Sequence, residues 1–136
     1  MHHRTHTHKP GWGFIASAGL IGFLAVALGA IGAHALKPHL SESAQTLFRT
    51  AWEYQIIHAL ALGMGGMLTL QYPAVRSFRW AAMAWLTGTL LFSGSLYAVS
   101  LGAPHALVHI TPLGGFSLMA GWIFLGLGAR GIRKNN

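Results

Sequence analysis

The chain has 136 residues, 53% of them hydrophobic and only 8% charged, where a soluble domain carries roughly a quarter charged residues. Most of its surface must therefore face something other than water, and the lack of cysteine excludes both a disulfide framework and a cysteine-ligated metal site. The net charge of +7 does not mark a nucleic-acid binder, because the basic residues sit in short tails and loops between apolar runs instead of on one solvated face.

Residues 1–11 read as a polar tail with Arg4, Lys9 and four histidines, His2, His3, His6 and His8. Nothing in the tail fixes a histidine geometry, so a solvated tail is expected there, not a metal site. The first apolar run, 12–33, is long enough to span a bilayer core of ~30 Å. Its basic start and the Ala33-His34-Ala35 triplet imitate a signal peptide, but the run is longer than a typical signal core and further spans follow, so it reads as retained. Ala25, Gly29 and Ala33 recur every four residues and offer a small-residue face for a neighbouring helix.

Lys37 and Pro38 break the run, and Ser41 is placed to cap a new helix with Glu42 in its first turn. Ala44, Leu47, Phe48, Ala51 and Trp52 form an apolar stripe at helical spacing, which predicts a short interfacial helix leading into a second span over 52–70. Ala59 and Gly63 continue the small-residue spacing there. A loop with Pro73, Arg76 and Arg79 precedes a third span, 80–101, with Trp80 at the interface position. An uncharged connection follows, in which His105 and His109 read as exposed loop residues. Thr111 and Pro112 then predict an N-cap and first turn for a fourth span, 112–129, in which Ser117, Gly121 and Gly128 share a face. Residues 130–136 read as a basic tail.

The expected fold is thus an all-α membrane protein: a four-transmembrane-helix antiparallel bundle with a short interfacial helix between spans one and two. Arg4, Lys9, Arg76, Arg79, Arg130, Arg133 and Lys134 fall on one side of it and only Lys37 and Arg49 on the other. The positive-inside rule then places both termini in the cytoplasm.

Alternating span direction also sets depth. His34 ends span one, Glu53, Gln55 and His58 open span two, Ser93 and Ser95 approach the end of span three, and Thr111 opens span four. All are expected in one polar layer toward the non-cytoplasmic face, turned inward, because an unpartnered polar group in lipid is costly. His58 is expected to meet Gln55, its i,i+3 neighbour, and a residue of span one or three.

The segments GAIGAHAL (29–36), EYQIIHAL (53–60), LFSGSLY (91–97) and ITPLGG (110–115) resemble, in that order, the motifs of the bacterial domain-of-unknown-function 423 family, related to the eukaryotic transmembrane protein 256 group. The resemblance covers nearly the whole chain after residue 12. It implies four transmembrane helices and a bacterial inner membrane, and it implies no activity, since the family has none assigned. The family's positions fall on His34, Glu53, Gln55, His58, Ser93, Ser95, Thr111 and Pro112.

The sequence leans away from catalysis and calls for no cofactor. The leading expectation is an accessory, assembly or scaffolding component in the lipid bilayer, acting through helix contacts with a membrane-protein partner or with itself as a homo-oligomer. One alternative is ion, proton or small-molecule translocation or binding through Glu53, Gln55 and His58. Another is a haem-binding bundle with His34 and His58 as axial ligands, or a metal site formed by the same two residues with Glu53. A hydrolase pairing Ser93 with His58 needs a hydrogen bond that sequence cannot show.

Overall fold

The computed structural model describes residues 9–135, and the histidines at 2, 3, 6 and 8 lie outside them. Helix α1 covers Pro10–Ile31, with proline at its first position, where a missing amide costs nothing. The helix does not stop at Ile31. It widens into a π-helical turn over Gly32–Leu36 and tightens into a 3-10 turn over Lys37–His39. Ser41 then caps α2, Glu42–Gln71, its hydroxyl accepting the Ala44 amide at 3.2 Å. The interfacial helix and second span expected as separate pieces are therefore one 30-residue helix, since nothing between Glu42 and Gln71 breaks helical hydrogen bonding.

A four-residue turn with Pro73 leads to α3, Arg76–Ser100. That helix ends where the Ala103 amide reaches back to the Ala98 carbonyl and the Gly102 amide to Val99. The arrangement needs a left-handed residue at 102, and Gly102 supplies it with φ of 105°. A 3-10 turn, His105–Ile110, feeds directly into α4, Thr111–Asn135. Two expectations are corrected here. Thr111 is already in the right-handed helical region, because the 3-10 turn delivers the chain in helical conformation, so it does not act as an N-cap. The stretch expected as a basic tail continues α4 through Asn135.

Each helix packs chiefly on the next in the chain, so α2 and α3 are central while α1 and α4 form the flanks. Gly11 lies against Gly66 and Leu70, and Gly63 against Ala18, which sets α1 and α2 antiparallel. Gly65 lies against Ala82 and Trp85, joining α2 to α3. Between α3 and α4 a repeat emerges. Phe78, Trp85 and Phe92 are spaced by seven on α3 and meet Gly128, Gly121 and Gly114, spaced by seven on α4: the Phe78 and Trp85 rings cover the first two glycines, and the Phe92 backbone lies against the third. A seven-residue repeat on both partners keeps one seam in register along the two helices. Trp85, Phe78 and Leu62 are the largest side chains withdrawn from the surface.

Three helical stretches are long and apolar enough to cross a membrane: Pro10–His39, Arg76–Ser100 and His105–Lys134. Helix α2 is not among them, and Glu53, Gln55 and His58 in its middle account for its lower hydropathy. At one end of the molecule Gly11 meets Leu70 and Gly131 meets Val75, which gathers Lys9, Arg76, Arg79, Arg130, Arg133 and Lys134. Lys37 and Arg49 lie at the opposite end, where α1 hands over to α2.

Candidate functional site: an interhelical polar network

Each polar side chain of interest is set by the helix that carries it. On α2, Gln55 and His58 are both 5% exposed, but they point to different partners. Gln55 Nε2 donates to the Ile21 carbonyl of α1 at 3.0 Å, and its Oε1 accepts the Tyr97 hydroxyl of α3. One side chain thereby ties three helices. His58 turns toward α4: its Nδ1 lies 2.8 Å from the Tyr54 carbonyl, and its Nε2 accepts the Trp122 indole N–H at 3.1 Å. That pair of contacts assigns the ring proton to Nδ1 and uses both nitrogens. Gln55 and His58 do not hydrogen-bond to each other, and His58 bonds to the fourth helix, not to the first or third as expected. Residues three apart on a helix differ by about 60° in direction, enough here for one to face α1 and α3 and the other α4.

Ser93 Oγ donates to the Ala51 carbonyl of α2 at 2.7 Å. Ser95 Oγ meets Thr111 Oγ1 at 2.6 Å and joins the ends of α3 and α4. Ser117, expected only as a packing residue, donates to the Ala84 carbonyl of α3 at 2.8 Å. Trp52 Nε1 donates to the Ala25 carbonyl of α1 at 2.8 Å. A pattern runs through these bonds: α2 grips carbonyls of α1, α3 a carbonyl of α2, and α4 a carbonyl of α3. A helix carbonyl already accepting one amide has a second lone pair, so each grip satisfies a polar side chain without opening the helix.

Two expected members lie outside the network. His34 is exposed on the π-helical turn and makes no hydrogen bond within the described residues. Glu53 pairs with Arg49 one turn earlier, Oε1 to Nε 2.9 Å, with the two side chains 46% and 81% exposed. Such an open pair contributes little to stability. Of the packing residues, Ala25 and Ala59 are buried, Gly29 sits under Trp52, Gly63 touches Ala18, and Gly121 sits under Trp85. Ala33 is exposed, and Gly32 takes its place under Phe48. Strict four-residue spacing drifts about 40° per step around an α-helix, so the third member of the set leaves the contact face.

Sequence reasoning missed Tyr97, Trp52 and Trp122 as partners. Trp52 enters the sequence reading only as part of an apolar stripe and Tyr97 and Trp122 have no assigned role there, yet their hydroxyl and indole N–H groups supply three of the bonds between helices. The rings of Trp85 and Trp122 meet edge-on with centroids 4.9 Å apart, and Trp122 and His58 do so at 5.9 Å. Tyr54 lies over Phe92 at 4.3 Å. Tyr54, His58, Phe92 and Trp122 line an open cleft of about 400 Å³ on the α2–α4 side.

Chemically the network binds helices to one another. Ser93 and His58 are committed to different acceptors and donors and form no nucleophile–base pair. Among the described residues no three His, Cys, Asp or Glu side chains converge as metal ligands.

Comparison with known proteins agrees with this reading of the chain as a membrane protein. The model of a protein of unknown function (DUF423) matches residues 28–115. A UPF0382 membrane protein of Haemophilus influenzae is 40% identical over 119 residues, covering 85% of this chain and 92% of its own. The UPF0382 inner membrane protein YgdD of Escherichia coli K12 is 37% identical over 117 residues, covering 86% and 88%. The UPF0382 membrane protein YwdK of Bacillus subtilis is 35% identical over 112 residues, covering 82% and 91%. No solved structure matches. Helices of membrane-crossing length, the family model and relatives along most of the chain converge on one conclusion: the chain belongs to the DUF423 family.

Proposed function

We propose that the protein is a non-catalytic accessory or assembly component of the bacterial inner membrane, working through helix contacts with a membrane-protein partner or a second copy of itself. The observation that carries this reading is the fate of its polar groups. Gln55, His58, Ser93, Ser95, Thr111 and Ser117 are all spent on hydrogen bonds within the chain. None is left converging on an enclosed cavity where a substrate or ion would need it. What the protein does offer is apolar helix surface: Phe23 on α1 is 70% exposed and Phe116 on α4 is 65% exposed. Gly13 and Gly19 on α1 have open space where a side chain would be, so another helix backbone can approach closely.

In this reading α2 is the fourth crossing. It runs antiparallel between two helices that are each apolar enough to cross, with Gln55 covered by α1 and α3 and His58 by α4. The arginine-rich end is cytoplasmic, which puts both termini there. Photo-crosslinking residues placed at Phe23 and Phe116, activated in native membranes, test the contact role. A discrete protein adduct of reproducible mass from at least one position is expected. Lipid adducts alone from both positions would end the proposal.

A further inference from the structure

Where α1 hands over to α2 there is an open cleft of about 690 Å³ that the polar network does not use. Its walls have two characters. Leu40, Phe48 and Trp52 form an apolar side, over a floor of Gly29 and Gly32. Lys37, Glu42 and Arg49 stand around the same space. Among the described residues Lys37 and Glu42 have no ion-pair partner, and Arg49 uses its Nε on Glu53, which leaves its two terminal nitrogens for another acceptor.

The rim is held in place rather than merely exposed. Gln45 Nε2 lies 3.0 Å from the Lys37 carbonyl and 2.9 Å from the Leu40 carbonyl, fastening the handover segment to α2. Trp52 is fixed by its bond to the Ala25 carbonyl. The π-helical turn, with its wider backbone, sits at this place and nowhere else among the described residues, and such turns are frequent at functional sites.

A cleft with apolar walls, two cations and one free carboxylate matches an amphiphile whose head carries both signs. We propose that it binds one phospholipid with an amine–phosphate headgroup, the phosphate held by Lys37 and Arg49 and the ammonium by Glu42. The acyl chains run past Leu40 and Trp52, the half-buried apolar residues of the wall, into the bilayer. A purely anionic headgroup would meet Glu42 unfavourably, and a free phosphate would leave the apolar wall uncovered. This inference does not depend on the contact role, because the cleft lies apart from Phe23 and Phe116.

The test uses the full chain, delipidated in mild detergent and titrated with phosphatidylethanolamine or phosphatidylglycerol under native mass spectrometry. One phosphatidylethanolamine per chain is expected, in preference to phosphatidylglycerol. Lys37→Ala and Glu42→Gln should each weaken it by about tenfold, the scale of one charge-assisted contact. Arg79→Ala, at the opposite end, should leave binding unchanged. Soluble phosphoethanolamine at millimolar concentration should not displace the lipid. All three substituted side chains are at the surface, and unchanged elution and helix content would establish that the variants fold. Equal binding of the two lipids, indifference to both cleft substitutions, or displacement by phosphoethanolamine would overturn the proposal.

Discussion

Trp85 and Thr89 stand one turn apart on α3, both buried, and neither Trp85 Nε1 nor Thr89 Oγ1 has a hydrogen-bond partner. An orphaned hydroxyl has lost water without gaining an acceptor, so replacing it by an apolar group of the same shape removes a penalty. Thr89→Val is therefore expected to be neutral or stabilising by up to about 1 kcal/mol, measured by denaturant titration in mixed micelles. A loss larger than that would mean the hydroxyl has an acceptor after all. Residue identity alone announced some of this chemistry and hid the rest. Gln55, His58 and Ser93 stand out as hydrophilic letters in apolar runs, and all three are buried and bonded. His34 stands out equally, but it lies beyond the point where α1 widens, and its side chain faces outward. The indole donors of Trp52 and Trp122 carry no such flag, because tryptophan also appears wherever a membrane interface needs an anchor.

At the scale of the element, the α3–α4 seam is where steric fit is tightest. A Cβ built on Gly121 would fall inside the Trp85 indole, while one on Gly126 would meet nothing within 4 Å. Gly121→Ala is thus expected to cost about 1–3 kcal/mol by overpacking, and Gly126→Ala to cost nothing. The same micelle titration on both variants checks the contrast, and equal effects would contradict the seam. The helices were legible because twenty-residue apolar runs leave few alternatives in lipid. The seam is half legible: the sequence sets Gly121 and Gly128 on one face, but the matching spacing of Phe78, Trp85 and Phe92 gains meaning only once the two helices are seen to pack together. Boundaries were harder. Lys37 and Pro38 look like a terminator, but a 3-10 turn accommodates proline in its first positions, so helix persists to His39. Beyond Ala129 the charged residues looked like tail, though Arg and Lys are favourable in a helix's last turn.

Across the whole molecule, charge sorts by end. The six described basic residues near the chain termini and the α2–α3 turn share one end, and Lys37 and Arg49 the other. A C-terminal fluorescent-protein fusion should therefore glow, and a C-terminal alkaline phosphatase fusion should be inactive, since the first folds in the cytoplasm and the second outside it. The reverse pair of results would invert the proposed orientation. The all-helical character and the number of long helices could be anticipated from run lengths. The serial layout could not, because nothing in a list of apolar runs says whether the first and last helices touch. That depends on which carbonyls the side chains of α2, α3 and α4 reach.

The threefold match of aromatic residue to glycine has a cost hidden in its regularity. Shift α4 by one repeat along α3 and two of the three matches survive, so shape complementarity by itself admits a misaligned hairpin. The contact between Ser95 and Thr111, beside the glycine-closed end of α3, acts as an index mark that only one alignment satisfies. A hairpin slipped by one repeat would still set Trp85 against a glycine but would part these two hydroxyls.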